Sequence, residues 1–365
     1  MSGNYVSPCY GCERKRWPFL ADLICGVPMS TRSNPRLAHI PGLDGLRGFA
    51  ALCVLLSHGL STYTAQRLHE GLGQMGVALF FLLSAYLLTR LWGGAAFNRA
   101  SVATYLVHRA ARVLPLFWLS VPVYVALYRE TYWNGAVCAA AISCAWSLWT
   151  IPVELQFYAI FLVLWRDMQA GRPARGLVWC FVTVTAIGIA MFATDVDNIR
   201  FPMWAHFFFI GSAIALWFPA DPSERWNRSL SITSILFFLL SIPGLRIENS
   251  LPTFENNLDP LVIVSVILLF TATLRCRLLT MWFERPWARA AGRISFGVYI
   301  IHWPVLIVIE RTGLTGGTAL LLYGMMSIGL AVASVRFVEE PAKMMINRIA
   351  RAFPPLRAGH AAIRS

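Results

Sequence analysis

Apolar stretches recur along this chain, separated by short loops that carry its arginines. They fall near residues 46–62, 72–91, 112–128, 150–166, 176–193, 201–218, 229–244, 258–274, 294–310 and 316–337. Each is about 16–22 residues, near the ~20 that a helix needs to cross a hydrocarbon core. Water is absent there, so a segment must satisfy its own backbone N–H and C=O groups, and helices do this. Composition agrees, with 57% hydrophobic and only 13% charged residues, against the ~25% charged that is usual in soluble domains. The expected fold class is all-α, a polytopic integral membrane protein of about ten transmembrane helices.

The net charge of +13 would suggest nucleic acid in a soluble protein. Here the charge sits between apolar runs, as the positive-inside rule demands, and no nucleic-acid motif accompanies it. One set of loops carries Arg90, Arg99, Arg109, Arg112, Arg166, Arg172, Arg175, Arg275, Arg277, Arg285, Arg289 and Arg293. The other set carries Asp195, Asp197, Glu248, Glu255 and Asp259. The segment Ala136 to Trp146 is ambiguous, but if it crossed, the arginine loops would no longer share one side. We therefore expect 135–149 to be a short re-entrant or interfacial piece on the outer side, with both termini cytoplasmic.

Residues 1–40 read as a polar cytoplasmic tail, 41–341 as the transmembrane domain and 342–365 as a basic cytoplasmic tail. No cleavable signal peptide is visible. Residues 1–28 are expected to be dispensable, or translation to start at Met29. Cys53, Cys138, Cys144, Cys180 and Cys276 lie in or beside apolar segments and read as small core residues. Cys9 and Cys12 lack the second ligand pair that a zinc site needs, so no metal is expected.

Ionisable groups inside such segments cost several kcal/mol and mark function by default. Arg47 and His58 share the first segment. Eleven helical residues make about three turns, so both side chains share a face about 16 Å apart. Gly73 and Gly76 allow close helix packing. Arg109 and Arg112, at i and i+3, present two planar forks suited to phosphate oxygens. Glu154 follows the aromatic turn Trp146-Ser-Leu-Trp149 and must be solvated, paired across helices or protonated. His302 lies mid-segment with Tyr299 one turn earlier. The loop-charge topology puts His58, Glu154 and His302 in the central-to-outer half and the three arginines at the cytoplasmic end.

These motifs together resemble the acyltransferase 3 family of membrane O-acyltransferases. The resemblance covers most of 40–341. It rests on Leu43-Asp-Gly-Leu-Arg47 with His58, Gly76-Val77 with Phe80-Phe81 and Leu83-Ser84, and Arg109-x-x-Arg112 with Pro115. Trp146-Ser-Leu with Glu154 and Phe157-Tyr158, Ile294-Ser295 with His302 and Pro304, and Glu339-x-Pro341 complete it. Ala85 departs from the family's glycine. Some members carry a fused periplasmic hydrolase-like domain, and the short stretch after the last apolar segment leads us to expect none here.

The resemblance implies a ten-span core in a bacterial inner membrane. It also implies transfer of an acyl group, usually acetyl from acetyl-CoA, to a hydroxyl of a cell-envelope saccharide, such as a polysaccharide or lipopolysaccharide, or of a glycolipid. Arg47, Arg109 and Arg112 would hold the phosphates of acetyl-CoA or another acyl-CoA. His58 would be the general base, Glu154 would orient His58 or the acceptor, and His302 and Tyr299 would donate to the oxyanion. Direct transfer and an acyl-histidine intermediate both fit these residues. Acceptor choice is expected in 245–259, with Asn249, Asn256 and Asn257, and in 129–149, where Tyr132, Trp133 and Trp146 can stack on sugars. Two alternatives remain at this point: a transporter or flippase for an anionic or acylated lipid or glycan, and a membrane scaffold.

Overall fold

The computed structural model describes residues 40–64, 71–128, 132–194, 200–218, 228–242 and 257–352. Residues 1–28 with Met29, and Asn249 and Asn256, lie outside these, as do the side chains of Tyr132 and Trp133. The described chain is helical: α1 Pro41–Tyr63, α2 Leu72–Trp92, α3 Arg99–Tyr128, α4 Tyr132–Ala139, a 3-10 turn Trp146–Trp149, and α5 Thr150–Gln169. There follow α6 Pro173–Ala193, α7 Phe201–Trp217, α8 Arg228–Leu240, α9 Pro260–Arg275, α10 Arg277–Phe283, α11 Pro286–Glu310 and α12 Gly316–Ser334. A π-helical turn, Val335–Glu339, leads into α13 Glu340–Ala352.

All the apolar segments read from the sequence form helices, but fewer than the expected ten are long enough to cross. Among the described residues seven meet the length and apolarity that crossing requires, and α9 with α10, bent by 88° at Cys276, makes an eighth if the pair is one span. The segments at 201–218 and 229–244 fall short, with 17 residues in α7 and 13 in α8. At 1.5 Å per residue α8 extends only about 20 Å.

The 135–149 segment holds no helix long enough to cross. α4 has 8 residues, about 12 Å of helix, and the chain then turns back through Ala141 at φ 56°. Cys138 and Cys144 are bonded as a disulfide across this turn, which corrects their reading as free core residues. Both are buried, so their burial was legible, but a bond needs a distance that spacing does not provide. Cys53, Cys180 and Cys276 are free and buried, as expected.

The core is organised around α1. α1 and α11 run parallel, in contact from Gly48 against Gly292 to Tyr63, whose hydroxyl donates to the Leu306 carbonyl at 3.2 Å. The approach needs glycine on both sides. A Cβ on Gly292 would lie 2.0 Å from the Asp44 carbonyl oxygen, and one on Gly48 would lie 2.7 Å from the Gly292 nitrogen. α2 closes on α1 the same way, with Gly76 against the Ala50 carbonyl. In lipid, helices associate through such close packing because tails are as apolar as side chains.

Gly292→Val should therefore force α11 off α1. Overpacking of this kind costs about 1–3 kcal/mol or more, and the detergent-solubilised protein should unfold at lower temperature by tryptophan fluorescence. Gly317→Ala, where no atom lies within 4 Å of the added methyl, should leave that temperature unchanged. Replacing Cys138 and Cys144 together by serine should cost about 2 kcal/mol for so short a loop. Non-reducing peptide mapping of the wild type should recover the two cysteines in one cross-linked peptide.

Candidate active site

Two cavities open from opposite ends of the bundle and meet at its centre. The first lies at the arginine-rich end and takes Arg47 from α1, Ser84 from α2, Arg109 and Arg112 from α3, and Glu154 from α5. Its free volume is about 70 Å³. The second, of about 820 Å³, is lined by His58, Trp146, Trp149, Trp204 and Trp303 together with Arg200 and Asn257. That size falls within the ~300–1,000 Å³ typical of small-molecule sites. Val77 and Tyr299 line both cavities. Phe80 packs edge-on against Tyr299 at 5.9 Å, so a thin neutral layer separates the two.

At the arginine-rich end, Arg47 donates from Nη2 to the Gly292 carbonyl at 2.7 Å and from Nε to the same carbonyl and to Ser295 Oγ, each at 3.1 Å. Asp44 lies 3.8 Å from Nη2. These contacts hold the guanidinium across the α1–α11 crossing. Arg109 stands with its guanidinium carbon 5.9 Å from the centre of the Tyr158 ring, and its buried Nε has no hydrogen-bond partner. An unsatisfied buried donor costs about 1–3 kcal/mol, more when charged, so a cavity that keeps one suits an anionic ligand.

Glu154 belongs to this cavity and not to the histidines. Ser84 Oγ donates to its Oε1 at 2.7 Å and the Tyr158 hydroxyl donates to the same oxygen at 2.5 Å. The expectation that Glu154 shares the depth of His58, and orients it, is corrected here. α5 follows directly on the 3-10 turn, and Glu154, on its second turn, lines the cavity with Arg109 and Arg112. Ser84 and Tyr158 are functional neighbours that sequence reasoning left in the packing. Their place beside an acid in the family motifs was the available signal.

In the larger cavity, His58 packs against Trp303 edge-on at 4.4 Å and stacks with His302 at 5.3 Å. His302 is fully buried. Its Nδ1 lies 2.6 Å from the Tyr299 carbonyl and 3.2 Å from that of Val298. Carbonyls only accept, so Nδ1 carries the proton. Nε2 is then a lone pair, buried without a partner. The Tyr299 hydroxyl donates to the Ser147 carbonyl at 2.7 Å. Neither residue has a proton to spare in this arrangement, which corrects the expectation that both donate to an oxyanion. Trp303 Nε1–H, in contrast, is a buried donor with no partner.

Trp146 and Asn257 line the His58 cavity, as expected of the loops that hold them. Trp146 is at φ 54° and stacks on Tyr128 at 4.0 Å. Tyr124 ties the segment down, since its hydroxyl lies 2.6 Å from Ser147 Oγ and donates to the Ile300 carbonyl at 2.9 Å. Among the described residues no cluster of His, Cys, Asp or Glu is arranged to hold a metal.

Comparison with known proteins adds names to this geometry. Residues 40–336 match the acyltransferase 3 family model, described as an acyltransferase domain. The Bacillus subtilis (strain 168) protein named "Putative peptidoglycan O-acetyltransferase YrhL" is 25% identical over 364 residues, covering 83% of this chain and 55% of that protein. Acyltransferase MdmB of Streptomyces mycarofaciens is 30% identical over 186 residues, 43% of this chain and 47% of its own. O-acetyltransferase OatA of Staphylococcus aureus (strain NCTC 8325 / PS 47) is 24% identical over 363 residues, 84% of this chain and 57% of its own. The chain thus spans about half the length of these relatives. No solved structure matches. The apolar helices and the family match together make this an integral membrane protein, and with its model matched from residue 40 to residue 336 the chain belongs to the acyltransferase 3 family.

Proposed function

We propose that this chain is a membrane O-acyltransferase that moves an acyl group, acetyl in the first instance, from acyl-CoA to a hydroxyl of a cell-surface saccharide or glycolipid. The observation that carries this reading is the pair of cavities meeting at Val77 and Tyr299, one lined by arginines and the other by a histidine and tryptophans. Arg109 and Arg112, with the remaining edge of Arg47, bind the phosphates of the donor, because planar guanidinium forks match phosphate oxygens. The donor's uncharged arm runs along α1 towards His58.

His58 takes the proton from the acceptor hydroxyl as that oxygen attacks the acyl carbon, and the CoA thiolate leaves towards the arginines. Positioned acid–base catalysis of this kind is worth ~10²–10⁴-fold. His302 and Tyr299 act as positioning residues, the first stacked on His58 and the second anchoring Ser147. Trp303 Nε1–H stands beside His58 as the donor available to the developing oxyanion.

The arginine-rich end faces the cytoplasm, where acyl-CoA is made, in a bacterial inner membrane. The Cys138–Cys144 disulfide supports this orientation, because it lies with the His58 cavity and disulfides persist in oxidising compartments. That α1 starts and α12 ends at the arginine side supports the reading that both termini are cytoplasmic.

His58→Ala should abolish transfer, by ~10²-fold or more, with normal membrane insertion. Acetyl-CoA turnover by purified protein with envelope glycan, followed as free thiol, measures it; full activity in the variant overturns the assignment. Arg109→Ala should raise the half-saturating acetyl-CoA concentration by about 10-fold, the worth of one charged hydrogen bond, with less effect on kcat. Trp303→Phe should lower kcat by ~10²-fold if its N–H meets the oxyanion, leaving donor binding unchanged. A flippase would release no thiol in any of these assays.

A further inference from the structure

The described lining of the larger cavity holds one permanent charge. Among the described residues that line it, Arg200 is the one cation, none is a carboxylate, and the rest are aromatic, aliphatic, small or neutral polar apart from His58. Arg200 precedes α7 and lies with its guanidinium carbon 5.3 Å from the centre of the Trp149 ring. Trp149 in turn packs on Trp204 at 5.1 Å. Among the described residues no ion pair engages Arg200. It is exposed, so its charge is hydrated and available. The cation–π contact with Trp149 restrains the guanidinium at the cavity wall, which lowers the entropy lost when it meets an anion.

A neutral saccharide would not need this arrangement. Tryptophan faces already bind sugar rings, and Gln74, Ser61 and Asn257 supply neutral hydrogen-bonding groups at the cavity wall. Arg200 adds a position that discriminates by charge. It also lies on the lip opposite to the arginines that bind the donor, so donor binding does not account for it.

We propose that Arg200 docks an anionic group of the acceptor, a carboxylate or a phosphate, while the sugar stacks on the Trp149–Trp204 pair and presents its hydroxyl to His58. The acceptor is then an acidic saccharide or a saccharide phosphate. This inference rests on the acyltransferase reading above. It narrows that reading from any hydroxyl-bearing glycan to a charged one.

Membranes containing the protein, supplied with radiolabelled acetyl-CoA, provide the test. The labelled saccharide product should be retained on an anion exchanger. Release after methyl esterification identifies the anion as a carboxylate, and release after phosphatase or hydrofluoric acid treatment identifies it as a phosphate. Arg200→Gln should raise the half-saturating concentration of that acceptor fraction by about 10- to 100-fold, the worth of a charge-assisted pair, with kcat little changed. Arg200→Lys should recover part of the loss. A neutral labelled product, or an unchanged acceptor dependence in Arg200→Gln, overturns this inference alone. If no product is labelled, the acyltransferase reading falls and this inference falls with it.

Discussion

The approach of α1 to α11 is the constraint on which both halves of the site depend. Gly48 and Gly292 bring the backbones together, and Arg47 closes the contact by donating twice to the Gly292 carbonyl. Ser295 Oγ donates to the same oxygen at 2.8 Å. A carbonyl with two lone pairs is thereby fully used. Because the two helices run parallel, this anchor also sets the register three turns away. Arg47 meets residue 292 and His58 meets residues 302 and 303 with nearly the same offset. Sliding α11 by one turn would separate the histidines and free Arg47 inside a low-dielectric environment, which costs several kcal/mol. Packing and electrostatics therefore select the same arrangement.

The far end is held by a different device. Tyr124 and Tyr299 both bond to Ser147, and the disulfide closes the turn just before it. A stretch with only a short helix and a 3-10 turn thus becomes one wall of the larger cavity. Its Trp146 stands at a left-handed backbone angle that non-glycine residues rarely adopt. Residues held in such conformations persist only where surrounding contacts over-determine them, and they cluster at ligand sites. Here the surrounding contacts are the Tyr128 stack and the anchored Ser147.

Much of this was legible in the sequence, and what was missed has physical causes. The apolar period and the loop arginines gave the helices and their order, since both follow from the bilayer as solvent. Eleven residues between Arg47 and His58 gave a shared face. Depth along the chain then misled for Glu154, because its place is set by contacts across helices, with Ser84 and in the cavity of Arg109 and Arg112. The proton inventory at His302 and Tyr299 was invisible, since it depends on which carbonyls those side chains reach. The Cys138–Cys144 bond needed a distance. Arg200 was not legible either: it is one of several arginines in the loops on that side, with Arg67, Arg129, Arg246 and Arg311, and only its contact with Trp149 at the cavity sets it apart.

The unequal cavities bear on how transfer proceeds. The free volume of about 70 Å³ at the arginine-rich end is small beside the 820 Å³ of the other cavity, so on the proposed reading the donor arm reaches His58 by displacing side chains of the Phe80–Tyr299 layer. Rotation of aromatic side chains, unlike backbone motion, leaves the α1–α11 register intact. On the proposed reading, an acyl carbon brought to that layer would be open to attack from the acceptor side, and its thiolate would depart back along the path of entry. Attack and departure then lie on opposite faces of one plane, and His58 needs to move only a proton. A covalent acyl-histidine would instead require His58 to turn from the acceptor towards the donor and back, against its packing on Trp303 and His302. The geometry favours direct transfer for that reason. A trapped acyl group on His58 in the absence of acceptor would show that the ring turns despite these contacts.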